Sequence, residues 1–175
     1  MQSEETLFRV AEECVHDLND DGIMYAEVRF APELFGEKGL TLDEIITAVL
    51  QGFESGMRDR EIIVKGILCA MRSSDRSTEI AEAAISFMDK GVVGFDIAGP
   101  EIDFPPRIHR QAFDIAHRNN LPITIHAGEA AGPEYIEEAL TICHASRIGH
   151  GTSAREMILD NGQAITSSVS YTHLR

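Results

Sequence analysis

MYAEVRF, residues 24–30, alternates its side chains in a way that decides the fold. Successive side chains of an extended strand point to opposite faces, so Ala26, Val28 and Phe30 share one face and Tyr25, Glu27 and Arg29 the other. The same division recurs downstream. In GFDIA (94–98), Phe95 and Ile97 oppose Gly94, Asp96 and Ala98; in PITIH (122–126), Ile123 and Ile125 oppose Thr124 and His126. One face is greasy and the other is polar or small. An open sheet covered by helices on both sides prefers apolar residues on each face. A barrel packs its outside on helices and holds ionisable groups near its mouth, where a buried charge is tolerable if paired or bound to metal. The strand faces therefore predict a barrel.

Working outward, β-type runs alternate with helical ones. The strand candidates are GIMYAEVRFAP (22–32), EIIVKGILCAMR (61–72), VVGFDIAGP (92–100), LPITIHAGE (121–129) and RIGHG (147–151), with a weaker signal at QAITSSV (163–169). Between them, Thr41 with Glu44 and Ser153 with Glu156 have capping-box spacing, and Pro133 suits a first helical position. Ile45, Ala48 and Val49, then Ile80, Ala84, Phe87 and Met88, then Ile136, Ala139, Leu140 and Cys143 recur at three-or-four spacing. Regular βαβα alternation means parallel strands. The expected fold class is α/β, a (β/α) barrel; five or six strands are found where eight would close it, so either the barrel is partial or the architecture is miscounted.

The 175 residues suit a single domain spanning 1–175. Hydrophobic residues at 43% and charged residues at 25% are ordinary globular usage, which argues against long disorder. Fifteen basic against 29 acidic side chains give a net charge of −14, which repels nucleic acid and anionic membranes. No run approaches the roughly 20 apolar residues of a membrane span, and MQSEETLFRV lacks the pattern of a secretory signal, so a cytoplasmic location is expected. Cys14, Cys69 and Cys143 show no Cys-x-x-Cys spacing and read as reduced packing residues.

The chemistry concentrates where strands stop. His126 ends one strand on its polar face, and Glu129 follows after two small residues. A neutral imidazole there suits a divalent metal, and the carboxylate beside it suits proton transfer. An isolated H-x-x-E more often marks a hydrogen-bonded core histidine beside a helix-terminus carboxylate. Two neighbouring strand ends add His150, flanked by glycines, and Asp96 with Gly99. His16, His109, His117 and His144 fall in helical runs without metal-ligand spacing and are expected to face solvent, as are the acidic pairs at 4–5 and 137–138.

The segments YAEVRFAPELF, GILCAMR, GFDIAGPE, ITIHAGEA and RIGHGT, in this order, resemble the adenosine deaminase family over roughly residues 20–160. The resemblance implies a (β/α)8 barrel of which strands 2 to 6 or 7 are present, with one zinc at the mouth. It implies deamination of adenosine and 2'-deoxyadenosine to inosine and ammonia. On the matching motifs, His126 is a zinc ligand, Glu129 donates a proton to purine N1, and His150 positions and deprotonates the attacking water. The Gly99 backbone N–H meets purine N3, while Arg29 and Asp96 belong to structural polar networks.

There are departures from the family's pattern. The family's first-strand His-x-His and eighth-strand Asp-Asp have no counterpart here, and residues 163–175, QAITSSVSYTHLR, are unlike the family. The expectation is a fragment in which His126 is the one remaining zinc ligand, too little to retain zinc well. The alternatives are deamination of AMP or adenine, or an inactive remnant that binds a purine. The expected partners are a purine nucleoside and, through exposed barrel edges, a second copy of the chain.

Overall fold

Tyr25–Phe30 forms the first strand, β1, and its faces part as the alternation requires. Ala26, Val28 and Phe30 pack into apolar clusters beneath helices, whereas Glu27 and Arg29 engage polar groups on the opposite side. The computed structural model describes residues 1–156, and the weak strand signal at 163–169 and the tail 163–175 lie outside them. In chain order the elements are α1 (Glu4–Asp20), β1, α2 (Leu42–Met57), β2 (Ile63–Met71), α3 (Ser77–Ser86), β3 (Val92–Ala98), α4 (Arg110–Arg118), β4 (Thr124–Ala127), α5 (Pro133–Thr141) and β5 (Arg147–His150).

All pairings are parallel: β1 with β2, β2 with β3, and β4 with β5. An isolated parallel bridge between Phe95 and Ile123, with the Phe95 N–H donating to the Pro122 carbonyl at 3.0 Å, joins β3 to β4. Five parallel strands in chain order, each pair connected through a helix, make a partial (β/α)8 barrel. Among the described residues no strand pairs with the outer edge of β1 or of β5.

The main core lies between the sheet's apolar face and its helices. Leu68, Phe95, Ile97, Ile123, Ile125 and Ile148 meet Ile80, Ala84, Phe113, Ala116, Ile136 and Ala139, all essentially inaccessible to water. Burying each large side chain contributes about 1.5–3 kcal/mol, and the tilted pair of Phe95 and Phe113, 5.4 Å between centroids, adds a ring contact. A second cluster joins α1 to α2 through Leu7, Ala11, Val15, Ile45, Val49 and Phe53. Gly52 permits this approach: a Cβ there would stand 2.7 Å from the Ala11 Cβ and closer still to the Phe8 carbonyl oxygen.

Local signals determine helix starts where nothing distant competes. Thr41 and Glu44 form the expected capping box, the Glu44 N–H donating to Thr41 Oγ1 at 3.3 Å and the Thr41 N–H to Glu44 Oε2 at 2.8 Å. Pro133 opens α5. Among the described residues Ser153 caps no α-helix. It sits inside a 3-10 turn, Thr152–Glu156, because its N–H is drawn to the Gly128 carbonyl at 3.2 Å.

Two polar expectations are corrected. His109 does not face solvent: it is 2% exposed, in a 3-10 turn (Pro106–His109) ahead of α4, with Nε2 3.1 Å from the Arg72 carbonyl oxygen. A tertiary hydrogen bond outweighs the polar character that placed it outside. Glu138 is likewise drawn in, its side chain mostly covered and paired with Arg107, while Glu137 is exposed. The cysteines are free thiols, Cys69 and Cys143 buried and Cys14 partly so. No helix among the described residues is long and apolar enough to cross a membrane.

Candidate active site at the strand ends

Asp96 is the hub of the polar face. It is fully buried, and Oδ1 accepts the backbone N–H groups of Ile97 at 2.7 Å and His126 at 3.2 Å. Oδ2 lies 3.0 Å from Arg29 Nη1 and 2.8 Å from His126 Nδ1. Arg29 Nη1 stands beside the same ring, 2.6 Å from Nε2 and 3.2 Å from Nδ1. An ionised carboxylate only accepts, so the contact of Nδ1 with Asp96 assigns the ring proton to Nδ1. This carboxylate–imidazole arrangement is the one that leaves Nε2 as a donor atom for a metal.

His150 reaches the same place by an unusual route. Strand alternation would put it on the helix side with Ile148, which is fully buried. Instead its backbone adopts φ 65°, a left-handed conformation costing about 1–2 kcal/mol for a residue with a Cβ. Its ring turns to the strand ends, 5.2 Å from that of His126 between centroids. Glu129, on the turn after β4, brings Oε2 to 3.4 Å from His150 Nε2. Three of the predicted residues, His126, Glu129 and His150, thus converge from adjacent strands. Gly99 lies at the end of β3 with φ 104°, exposed, and its N–H has no acceptor among the described residues.

Two further residues shape this rim and were not singled out in the sequence. Arg72, 1% exposed, follows β2 and donates to the backbone carbonyls of His126 and, at 2.6 Å, Phe104. Burial lowers its pKa, and the nearby Glu101 and Asp96 carboxylates oppose that shift. Glu101, 6% exposed, accepts four consecutive backbone N–H groups, from Gly128 at 2.5 Å, Glu129 at 3.0 Å, Ala130 at 2.7 Å and Ala131 at 2.9 Å. Each closes a quoted segment, Arg72 in GILCAMR and Glu101 in GFDIAGPE; the signal was a charge just past a buried strand, Arg72 directly after β2 and Glu101 three residues after β3.

The described residues do not by themselves hold the zinc that the resemblance implies. His126 Nε2 fits as one ligand, but catalytic zinc sites use three protein ligands, and no group of three His, Cys, Asp or Glu among the described residues could hold a metal ion.

A parallel β/α barrel that gathers imidazoles and carboxylates at its strand ends has the architecture of barrel enzymes, whose sites lie at that face. Solved structures agree: an amidohydrolase from Burkhoderia ambifaria with bound Zn matches with a TM-score of 0.81 at 24% identity, covering 90% of this chain and 44% of that one. The N6-methyl-AMP deaminase from Arabidopsis thaliana matches with a TM-score of 0.77 at 29% identity, covering 85% and 46%. The chain belongs to the adenosine deaminase family, whose model matches residues 1–161. A relative named adenosine deaminase, from Mycolicibacterium vanbaalenii, is 53% identical over an alignment of 156 residues that covers 86% of this chain and 43% of that protein. The chain spans less than half the length of the curated relatives it matches.

Proposed function

We propose that this chain carries the purine-binding and proton-transfer side of a zinc-dependent site that deaminates adenosine and 2'-deoxyadenosine to inosine or deoxyinosine and ammonia. The observation that carries the reading is the convergence of His126, Glu129 and His150 at adjacent strand ends. The 53% identity to a relative named adenosine deaminase supports the nucleoside substrate. When bound, zinc would activate the attacking water; His126 is the ligand this chain offers.

In this reading the Gly99 N–H holds purine N3 and Glu129 gives its proton to N1, which draws electron density from C6. His150 takes a proton from the water that adds to C6 and passes it to the amino group, the C6–N bond breaks as ammonia leaves, and the proton of the C6 hydroxyl returns to Glu129. General acid–base groups of this kind contribute about 10²–10⁴-fold each. The 3.4 Å between Glu129 Oε2 and His150 Nε2 is long for a hydrogen bond, as contacts in a substrate-free site often are.

The test is adenosine turnover with added zinc, followed as inosine and ammonia, in the chain and in Glu129→Gln and His150→Ala. Each substitution should lower the rate by about 100-fold or more. A folded chain that neither binds nor converts adenosine would defeat the proposal. The likeness to an N6-methyl-AMP deaminase favours a second reading, a nucleotide substrate. A phosphate would need a cluster of Arg and Lys, which the −14 net charge opposes, so adenosine should be preferred over AMP in the same assay.

A further inference from the structure

The turn after β4, which carries Glu129, belongs to neither a helix nor a strand from Gly128 to Gly132. Its backbone N–H groups would be left to water were it not for one side chain. Glu101 Oε2 accepts from Glu129, Ala130 and Ala131, and Oε1 accepts from Gly128. Successive N–H groups curled around one anion form a nest, and hydrogen bonds to a charged acceptor are shorter and stronger than neutral ones. Gly128 makes the curl possible with φ 72°, and a Cβ there would stand 2.5 Å from the Ile136 Cδ1. From the other side Arg72 grips the His126 carbonyl, so a cation holds the C=O flank of the turn and an anion its N–H flank. Glu101 also stands two residues after Gly99.

We propose that Glu101 is a positioning residue: its carboxylate sets where Glu129 stands relative to His150 and to Gly99, by binding the turn that carries Glu129. The proposal rests on the reading of Glu129 and His150 as the proton-transfer pair. The charge of Glu101 is consistent with this role. Burial pushes its pKa up, but the N–H groups of Ala130, Ala131 and Gly128, with the Arg72 charge, outweigh burial and hold it below the ordinary carboxylate value.

Glu101→Gln keeps the shape and replaces one acceptor by an NH2 group that faces backbone donors. The experiment is amide hydrogen exchange by NMR, with imidazole ¹⁵N shifts as a second readout. In the unmodified chain the Gly128, Ala130 and Ala131 amides should exchange at least about tenfold more slowly than open-loop amides. In Glu101→Gln they should speed up by about tenfold or more, while the Leu68 and Ala70 amides keep their protection. The His150 ring signals should move and those of His144 should not, a local displacement that a general loss of stability would not produce. Unprotected amides in the unmodified chain would overturn the proposal whether or not the variant folds. So would a folded Glu101→Gln chain with unchanged exchange and unchanged His150 shifts. Glu129→Gln should leave the exchange pattern in place, so the amide result judges Glu101 while turnover in Glu129→Gln judges the deaminase reading.

Discussion

Asp96 Oδ2 stands 2.8 Å from Nδ1 of His126, so the buried carboxylate selects which imidazole nitrogen carries the proton. The same oxygen lies 3.0 Å from Arg29 Nη1, and Arg29 approaches His126 Nε2 in turn. Three strands thereby contribute to one polar cluster at the end of the barrel. Each member satisfies another, which is how ionisable groups persist inside a small domain.

Asp96→Ala should therefore cost more than a usual substitution. It leaves the His126 N–H and the Arg29 guanidinium short of their acceptor, and removing one partner of a buried pair costs about 3–5 kcal/mol. Arg29 is one-third exposed, so the lower end is expected. Urea unfolding measures the loss, and a change below about 1 kcal/mol would mean the cluster is not load-sharing.

Gly52→Val tests the packing of α1 on α2. The added side chain has no space beside the Phe8 carbonyl oxygen and the Ala11 Cβ, and overpacking of this kind costs about 1–3 kcal/mol. The helices should separate locally, so amide exchange in Glu4–Asp20 should rise while β3 and β4 keep their protection. Uniform loss of protection would show that α1 and the sheet unfold as one unit.

His109 makes stability depend on pH. Burial holds its pKa below the ordinary imidazole value, partly offset by its hydrogen bond to the Arg72 carbonyl. The unfolded chain then binds a proton below about pH 6.5 before the folded chain does. Stability from this residue is complete above that value and declines as pH falls toward the folded-state pKa. Urea midpoints should drop between about pH 7 and pH 5, and the drop should be shallower in His109→Gln. Parallel pH profiles would remove His109 as the cause.

The thiols should react in a fixed order. Burial, with Glu138 nearby, pushes Cys143 up to about 12. Burial and then Asp96 raise Cys69 well above its ordinary value, and partial burial and then Asp17 raise Cys14 less. A raised thiol pKa means less of the reactive thiolate at a given pH. Iodoacetamide near pH 8 should label Cys14 first, with Cys69 and Cys143 labelled only after denaturation. Peptide mass spectrometry would expose any other order.

Elements governed by neighbours in sequence were legible from the start. The alternation in Tyr25–Phe30 separated the helix-packed face from the polar one, and Thr41 with Glu44 marked the start of α2. His126, Glu129 and His150 could be placed at strand ends because a strand's limits follow from its own run of residues. Ser153 had the same cap signature as Thr41 and behaved differently, because the Gly128 carbonyl claimed its backbone.

What the chain's order of residues determined, then, was periodicity: five strands, their apolar faces and the helices between them, all set by interactions a few residues long. Tertiary structure alone decided the direction of His150, the burial of His109 and the grip of Glu101 on residues 128–131. Those outcomes turn on a hydrogen-bond partner that is 27 to 37 positions away, or on a left-handed backbone that only surrounding contacts can hold. No local pattern encodes such a meeting, because its free energy exists only once the strands stand side by side.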